Sequence, residues 1–188
     1  MSTFPLQALL DELVAFLEER RVDYLVMGGV AVRFWGIPRP TYDLDFTLAL
    51  PPERVPGLCD ALRGRGFTIL EIHEKGFVDR LAGMDKLAVA RIIDGREVRV
   101  DLFLVTTRYQ REAFGRRVRK AINGGEAWLI APEDLILHKL IAGRERDLAD
   151  ITDVLWMNPG VDKAYLRKWA GELGVSATLE RKLAEPLP

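Results

Sequence analysis

The sequence predicts an α+β fold: a mixed-sheet core over residues 1–130 and a helical region over residues 131–188 packed on it. Three observations carry this. Short β-like runs alternate with amphipathic helical runs through the first part of the chain. Two of those runs, Leu87–Ile93 and Glu97–Val105, flank Asp94-Gly95, a strong hairpin-turn signal. From Pro132 onward the pattern is helical only.

The elements follow in order. Residues 5–20 start with Pro5 and space Leu9, Leu10, Leu13, Phe16 and Leu17 on one stripe, which predicts an amphipathic helix with an acidic outer face. Tyr24–Met27 is a short buried strand ended by Gly28-Gly29, and Val30–Trp35 a short helix stopped by Gly36 and Pro38. Residues 42–50 alternate and predict a strand, and Pro51-Pro52 opens a helix over 52–64. Phe67–Ile72 reads as a strand, and residues 73–85 as loop. After the hairpin come a short helix at 108–114 and two short strands, 116–122 and 127–130, around Asn123-Gly124-Gly125. Helices are expected at 132–142, 145–157, 162–172 and 177–184.

Composition excludes several classes. The 188 residues are 48% hydrophobic and 29% charged, ordinary for a globular protein. A formal net charge of −1 gives no overall field to draw the chain onto nucleic acid or membrane. The single cysteine, Cys59, rules out an internal disulfide framework and reads as a small core residue. The start of the chain lacks the basic and apolar regions of a signal peptide, and no apolar run approaches the roughly 20 residues of a membrane span, so a cytoplasmic location is expected.

The informative feature is a pair of acids on a strand. In Tyr42–Leu50, one face carries Tyr42, Leu44, Phe46, Leu48 and Leu50, and the other Asp43, Asp45, Thr47 and Ala49. Residues two apart on a strand share a face about 6.6 Å apart, at about 3.3 Å per residue. Acids are depleted in strands, so two side by side are either solvated on an open face or meet a cation. Hard cations such as Mg²⁺, or Mn²⁺, take such oxygen ligands and complete their shell with water and substrate phosphate, and paired ions support phosphoryl displacement. A third acid stands in a second β-like run, where Val98, Val100, Leu102 and Leu104 form the apolar face and Asp101 the other. Asp101 would complete the set or act as the base for an attacking hydroxyl.

Gly28-Gly29 lie between strand and helix, where backbone can approach an anion closely and a helix N-terminus offers N–H groups. A triphosphate held there would be neutralised by cations on the neighbouring strand. The stretch GGVAVRFWGIPRPTYDLDF, residues 28–46, with a later lone acid on a strand, resembles the signature of the polymerase-β-like nucleotidyltransferase superfamily. Gly28, Gly29, Asp43, Asp45 and Asp101 match it, and the resemblance covers about residues 22–105. In style it resembles the abortive-infection and toxin–antitoxin nucleotidyltransferases, and also the lincosamide and aminoglycoside ones.

The resemblance implies a Mg²⁺-dependent transfer of a nucleoside monophosphate from ATP or another NTP to a hydroxyl acceptor on RNA, protein or a small molecule, with pyrophosphate release. It implies Asp43, Asp45 and Asp101 as metal-binding and catalytic residues, Arg39 and Thr41 as positioners of the triphosphate or its loop, and a cognate toxin or antitoxin as a partner. The stretch PEDLILHKLIAGRERDLADITDVL, residues 132–155, resembles the lysine-bearing helix pair of the toxin-like group, which implies that Lys139 reaches the phosphates. From the residues alone, a lysine among Leu135, Ile136, Leu140 and Ile141 needs an anion or a carboxylate; Asp147 and Asp150 could pair with Lys139, Arg144 or Arg146. The rival expectation is a non-catalytic nucleotide-binding or partner-binding module on the same fold.

Other features are less specific. The run Arg116–Lys120 is either an RNA-phosphate contact or a solvated strand edge. Trp128, Trp156 and Trp169 read as core, and Trp35 as core or a base-stacking ring beside the site. His73 and His138 form no metal motif and read as structural or solvated. No P-loop, Rossmann fingerprint or serine-hydrolase elbow is present.

Overall fold

The computed structural model describes residues 5–69, 79–81, 84–122 and 125–186. Helix α1 (Pro5–Glu19) leads into β1 (Asp23–Met27), α2 (Gly28–Trp35) and β2 (Asp43–Ala49). After a 3₁₀ turn at Pro52–Arg54 come α3 (Val55–Arg63), β3 (Thr68–Ile69), β4 (Asp79–Leu81), β5 (Met84–Ile93) and β6 (Arg96–Leu104). Then α4 (Arg108–Gly115), β7 (Val118–Ile122) and β8 (Gly125–Leu129) precede α5 (Pro132–Ala142), α6 (Glu145–Met157), α7 (Lys163–Glu172) and α8 (Ser176–Ala184). This is the α+β class the sequence predicts.

The strands form one mixed sheet in the order β3-β5-β6-β2-β1-β8-β7, with β4 on the far side of β5. The β2–β6 and β1–β8 pairs are parallel and the others antiparallel. Strand alternation divides the apolar residues between two cores. On one face, Leu44, Phe46, Leu48, Val100 and Leu102 pack with α1 and α3. On the other, Met27 and Phe103 pack with α2 and the helices from α4 to α8. Full burial of each such side chain is worth about 1.5–3 kcal/mol, so β6 is held on both faces and β2 on the face that carries Leu44, Phe46 and Leu48.

The helix ends follow from local chemistry. Thr107 caps α4 in a reciprocal box with Gln110. Pro132 begins α5, and Gly143, at φ 66°, ends it in the left-handed conformation, so that α6 folds back at once against α5.

Several boundaries differ from expectation. Tyr42 is 76% exposed and precedes β2 instead of joining its apolar face. Residues 79–81 and 84–85, expected in a loop, are strand: Asp79–Leu81 pairs with Met84–Lys86. Both strands are short or polar there, and a polar edge leaves no apolar period to read. Residues 70–72 of the expected strand, His73 and Asn123-Gly124 lie outside the described residues.

Candidate active site

The three acids meet in one cleft of about 330 Å³, with Gly28 at its lip and Lys86 and Lys139 in its walls. Their meeting is a matter of register. Parallel pairing of β2 with β6 sets Asp45 opposite Asp101, and Asp43 opposite Arg99. On its other side Asp45 faces Met27, the last residue of β1, so the Gly28 turn begins beside it.

Their surroundings differ. Asp45 is partly buried, and its carboxyl is pushed up to about 7, first by burial and then by the charges of Asp43 and Asp101, with Lys139 and Arg144 pulling the other way. Asp43 accepts a hydrogen bond from the Thr41 hydroxyl at 2.8 Å. Asp101 accepts one from the Lys86 ammonium at 3.2 Å through Oδ2, while its buried Oδ1 has no partner among the described residues. Crowded carboxylates and an unpartnered buried oxygen fit a hard divalent cation, whose ligands are oxygens. Among the described residues no three His, Cys, Asp or Glu side chains form a ready-made metal cage; Thr41 and Lys86 hold two of the three acids instead.

A pH dependence follows. The folded value of Asp45 lies above that of an unfolded aspartate, about 3.9. Its contribution to stability is therefore full below the unfolded value and is lost as pH rises through about 7. Without metal, the melting temperature is expected to fall as pH rises from about 4 to about 7 and to level off above that, and Asp45→Asn to flatten that fall. Thermal melts in chelator checks this; an unchanged slope in Asp45→Asn would remove Asp45 as its origin.

The glycines make room for the site. Gly28 has φ +64°, and a Cβ there would lie 1.8 Å from Oδ2 of Asp45. A Cβ on Gly29 would lie 2.3 Å from Oγ1 of Thr41. Gly28→Ala is expected to displace the Asp45 carboxylate and lower stability by about 1–3 kcal/mol, a loss that chemical denaturation measures.

Behind the acids runs a ladder of charges. Arg39 grips both oxygens of Asp150 at 2.6 Å. Lys139 contacts Asp150 at 2.8 Å and Asp147 at 2.7 Å, and Asp147 accepts from Arg144 at 2.7 Å. Lys139 also lines the cleft. The structure thus brings Gly28, Asp43, Asp45, Asp101 and Lys139 to one cleft. Thr41 stands behind it on Asp43, and Arg39 at the far end of the ladder.

The less specific features resolve into the scaffold. Arg116 binds Glu133 and Asp134; Arg117 and Arg119 lie over the Trp128 ring, and Lys120 lies over Trp35. Trp35 donates to the Ile130 carbonyl at 2.8 Å, which fixes its ring away from the cleft lining. Trp156 is 42% exposed, not core. His138 lines the cleft, and burial and then Lys139 lower its imidazole to about 4, so it is neutral at physiological pH.

Sequence reasoning missed Lys86, Arg99, Arg144 and His138 as cleft residues. For Lys86 a signal existed: counting back from the Asp94-Gly95 turn places Ala88 opposite Asp101 and Lys86 two residues away on the same face.

This mixed sheet, with paired acids on one strand, a third acid on its parallel neighbour and a Gly-Gly turn at the cleft, has a nucleotidyltransferase-like fold. The solved structures agree. An antigenic nucleotidyltransferase-like protein from Paracoccidioides brasiliensis superposes with TM-score 0.65 and 23% identity over 97% of this chain and 90% of its own. The antibiotic-resistance factor ANT(2'')-Ia gives TM-score 0.60 and 14% identity, covering 95% of this chain and 97% of its own. The lincosamide antibiotic adenylyltransferase LnuA, solved with lincomycin bound, gives 0.51 and 15%, covering 79% and 95%. No protein-family model and no curated protein matches the sequence.

Proposed function

We propose that this chain is a divalent-metal-dependent nucleotidyltransferase that moves a nucleoside monophosphate from an NTP to a hydroxyl group. The observation that supports it best is the register pairing of Asp45 with Asp101, which with Asp43 directs three carboxylates into one cleft beside the Gly28 turn. Asp43, Asp45 and Asp101 would hold Mg²⁺ or Mn²⁺, which when bound neutralises phosphate charge and orients the triphosphate.

The chain's own residues do the remaining work. The Gly28-Gly29 turn admits the triphosphate close to backbone N–H groups at the start of α2. Lys139 offers an ammonium to phosphate oxygens, while Asp147 and Asp150 fix its position. Arg39 and Thr41 position the site indirectly, Arg39 through Asp150 and Thr41 through Asp43. Asp101 takes the proton of the acceptor hydroxyl. The acceptor oxygen then forms a bond to the α-phosphorus, the bond to the bridging oxygen breaks, and pyrophosphate leaves with that electron pair.

The acceptor we propose is a small alcohol-bearing molecule. ANT(2'')-Ia has been solved with adenylyl-2''-tobramycin, and LnuA with lincomycin. The basic run that would favour RNA is engaged in internal ion pairs and cation–π contacts. The test incubates the protein with each α-labelled NTP, Mg²⁺ and separate pools of aminoglycosides and other small alcohols, RNA, and protein from a cell extract. Label in the small-molecule pool supports the proposal. Label in RNA or protein would transfer it to a polymeric acceptor and bring a toxin–antitoxin role forward. No label in any pool would favour the non-catalytic module.

A further inference from the structure

The metal reading leaves one cation without a task. Lys86 projects from β5 on the cleft face, its ammonium 3.2 Å from Oδ2 of Asp101 and its side chain 13% exposed. Among the described residues this is the one ion pair that the three acids make. Lys139 and Arg144 influence Asp45 from further off and are tied to Asp147. Oδ1 of Asp101, on the same carboxylate, stays buried and has no partner among the described residues.

An ammonium and a divalent ion seek the same carboxylate oxygens and repel each other, strongly so in a cleft partly screened from water. They cannot both sit against Oδ2. We propose that Lys86 is a resident cation of the carboxylate cluster that a divalent ion has to displace, so that it weakens the binding of metal alone. This rests on the metal site of the proposed function. The side chain is suited to the role: a flexible stem of four carbons lets the compact charge leave Asp101 without moving the strand.

A purely structural Lys86, holding Asp101 in place for the ion, would act in the opposite direction, so the sign of one measurement decides. The full-length chain is titrated with Mn²⁺ alone, without nucleotide, and free Mn²⁺ is followed by electron paramagnetic resonance. Lys86→Met is expected to bind about tenfold more tightly than wild type, within the usual range of coupling between neighbouring sites. Lys86→Arg, which keeps the charge, is expected to stay near wild type. Added Mg²⁺ should also raise the melting temperature of Lys86→Met more than that of wild type. Equal or weaker Mn²⁺ binding by Lys86→Met overturns the proposal and leaves the metal site standing. No Mn²⁺ binding by either protein overturns the metal site itself, and this proposal with it. Should Lys86→Met fail to fold, Lys86→Gln removes the same charge and is judged by the same sign.

Discussion

Nucleotidyl transfer is expected to fall by about 10³-fold in Asp43→Ala, in Asp45→Asn and in Asp101→Asn, each taken singly, while the protein stays folded. The size is that of removing one preorganised electrostatic contact to a reacting group. The three side chains share a cleft and contribute to one charge cluster, so the double variants are expected to lose little beyond the singles. Retention of the fold is the discriminating half of the prediction. Asp43 and Asp101 lie in strands whose opposite faces carry Leu44, Val100 and Leu102, all essentially inaccessible, and none of that packing changes. Asp45→Asn removes a carboxyl whose ionisation is disfavoured by burial and by its two neighbours. In chelator above neutral pH it should therefore be more stable than wild type while being inactive. Parallel measurement of label transfer and thermal melting checks both halves. Full activity in Asp43→Ala or Asp45→Asn would remove the metal reading; joint loss of activity and fold would make the acids structural.

Much of this arrangement was legible in the sequence because it depends on local pattern. Strand alternation alone put Asp43 and Asp45 on one face and Asp101 opposite the Val98–Leu104 stripe. Pro132 and Gly143 bracket α5 in the sequence as they do in the fold. What the sequence leaves open is pairing. That β2 runs parallel to β6, and in the register that sets Asp45 against Asp101, depends on long-range contacts that a single chain of letters does not encode locally. The polar strand around Lys86 was hidden for another reason: Asp79, Arg80, Asp85 and Lys86 offer no apolar alternation. The glycines illustrate a third case. Their position beside a strand was readable, but the atoms above them, the Asp45 carboxylate and the Thr41 hydroxyl, appear only in three dimensions.

Lys139→Met is expected to destabilise the fold by about 3 kcal/mol at neutral pH, the low end for breaking a buried ion pair. Lys139 is 7% exposed, and its ammonium lies between Asp147 and Asp150, both buried. For each acid, burial alone would raise the carboxyl; hydrogen bonds from Lys139, with Arg144 at Asp147 and Arg39 at Asp150, outweigh it and hold both below the ordinary aspartate value. Those two remaining arginines are the reason the loss should be at the low end rather than larger. The sign with pH is fixed by the same shifts. A depressed folded value contributes stability above the unfolded value, and that contribution is lost as pH falls through the folded one. The gap between wild type and Lys139→Met should therefore narrow in acid, as both carboxyls take up protons. Pairing Lys139→Met with Asp147→Asn removes one of the stranded charges and should recover part of the loss. Urea unfolding of the set, with Lys163→Met as an exposed-lysine control, measures these differences. Equal stability of Lys139→Met and wild type at neutral pH would mean that the ladder from Arg39 to Arg144 adds nothing net to the fold, and that Lys139 is kept for its ligand alone.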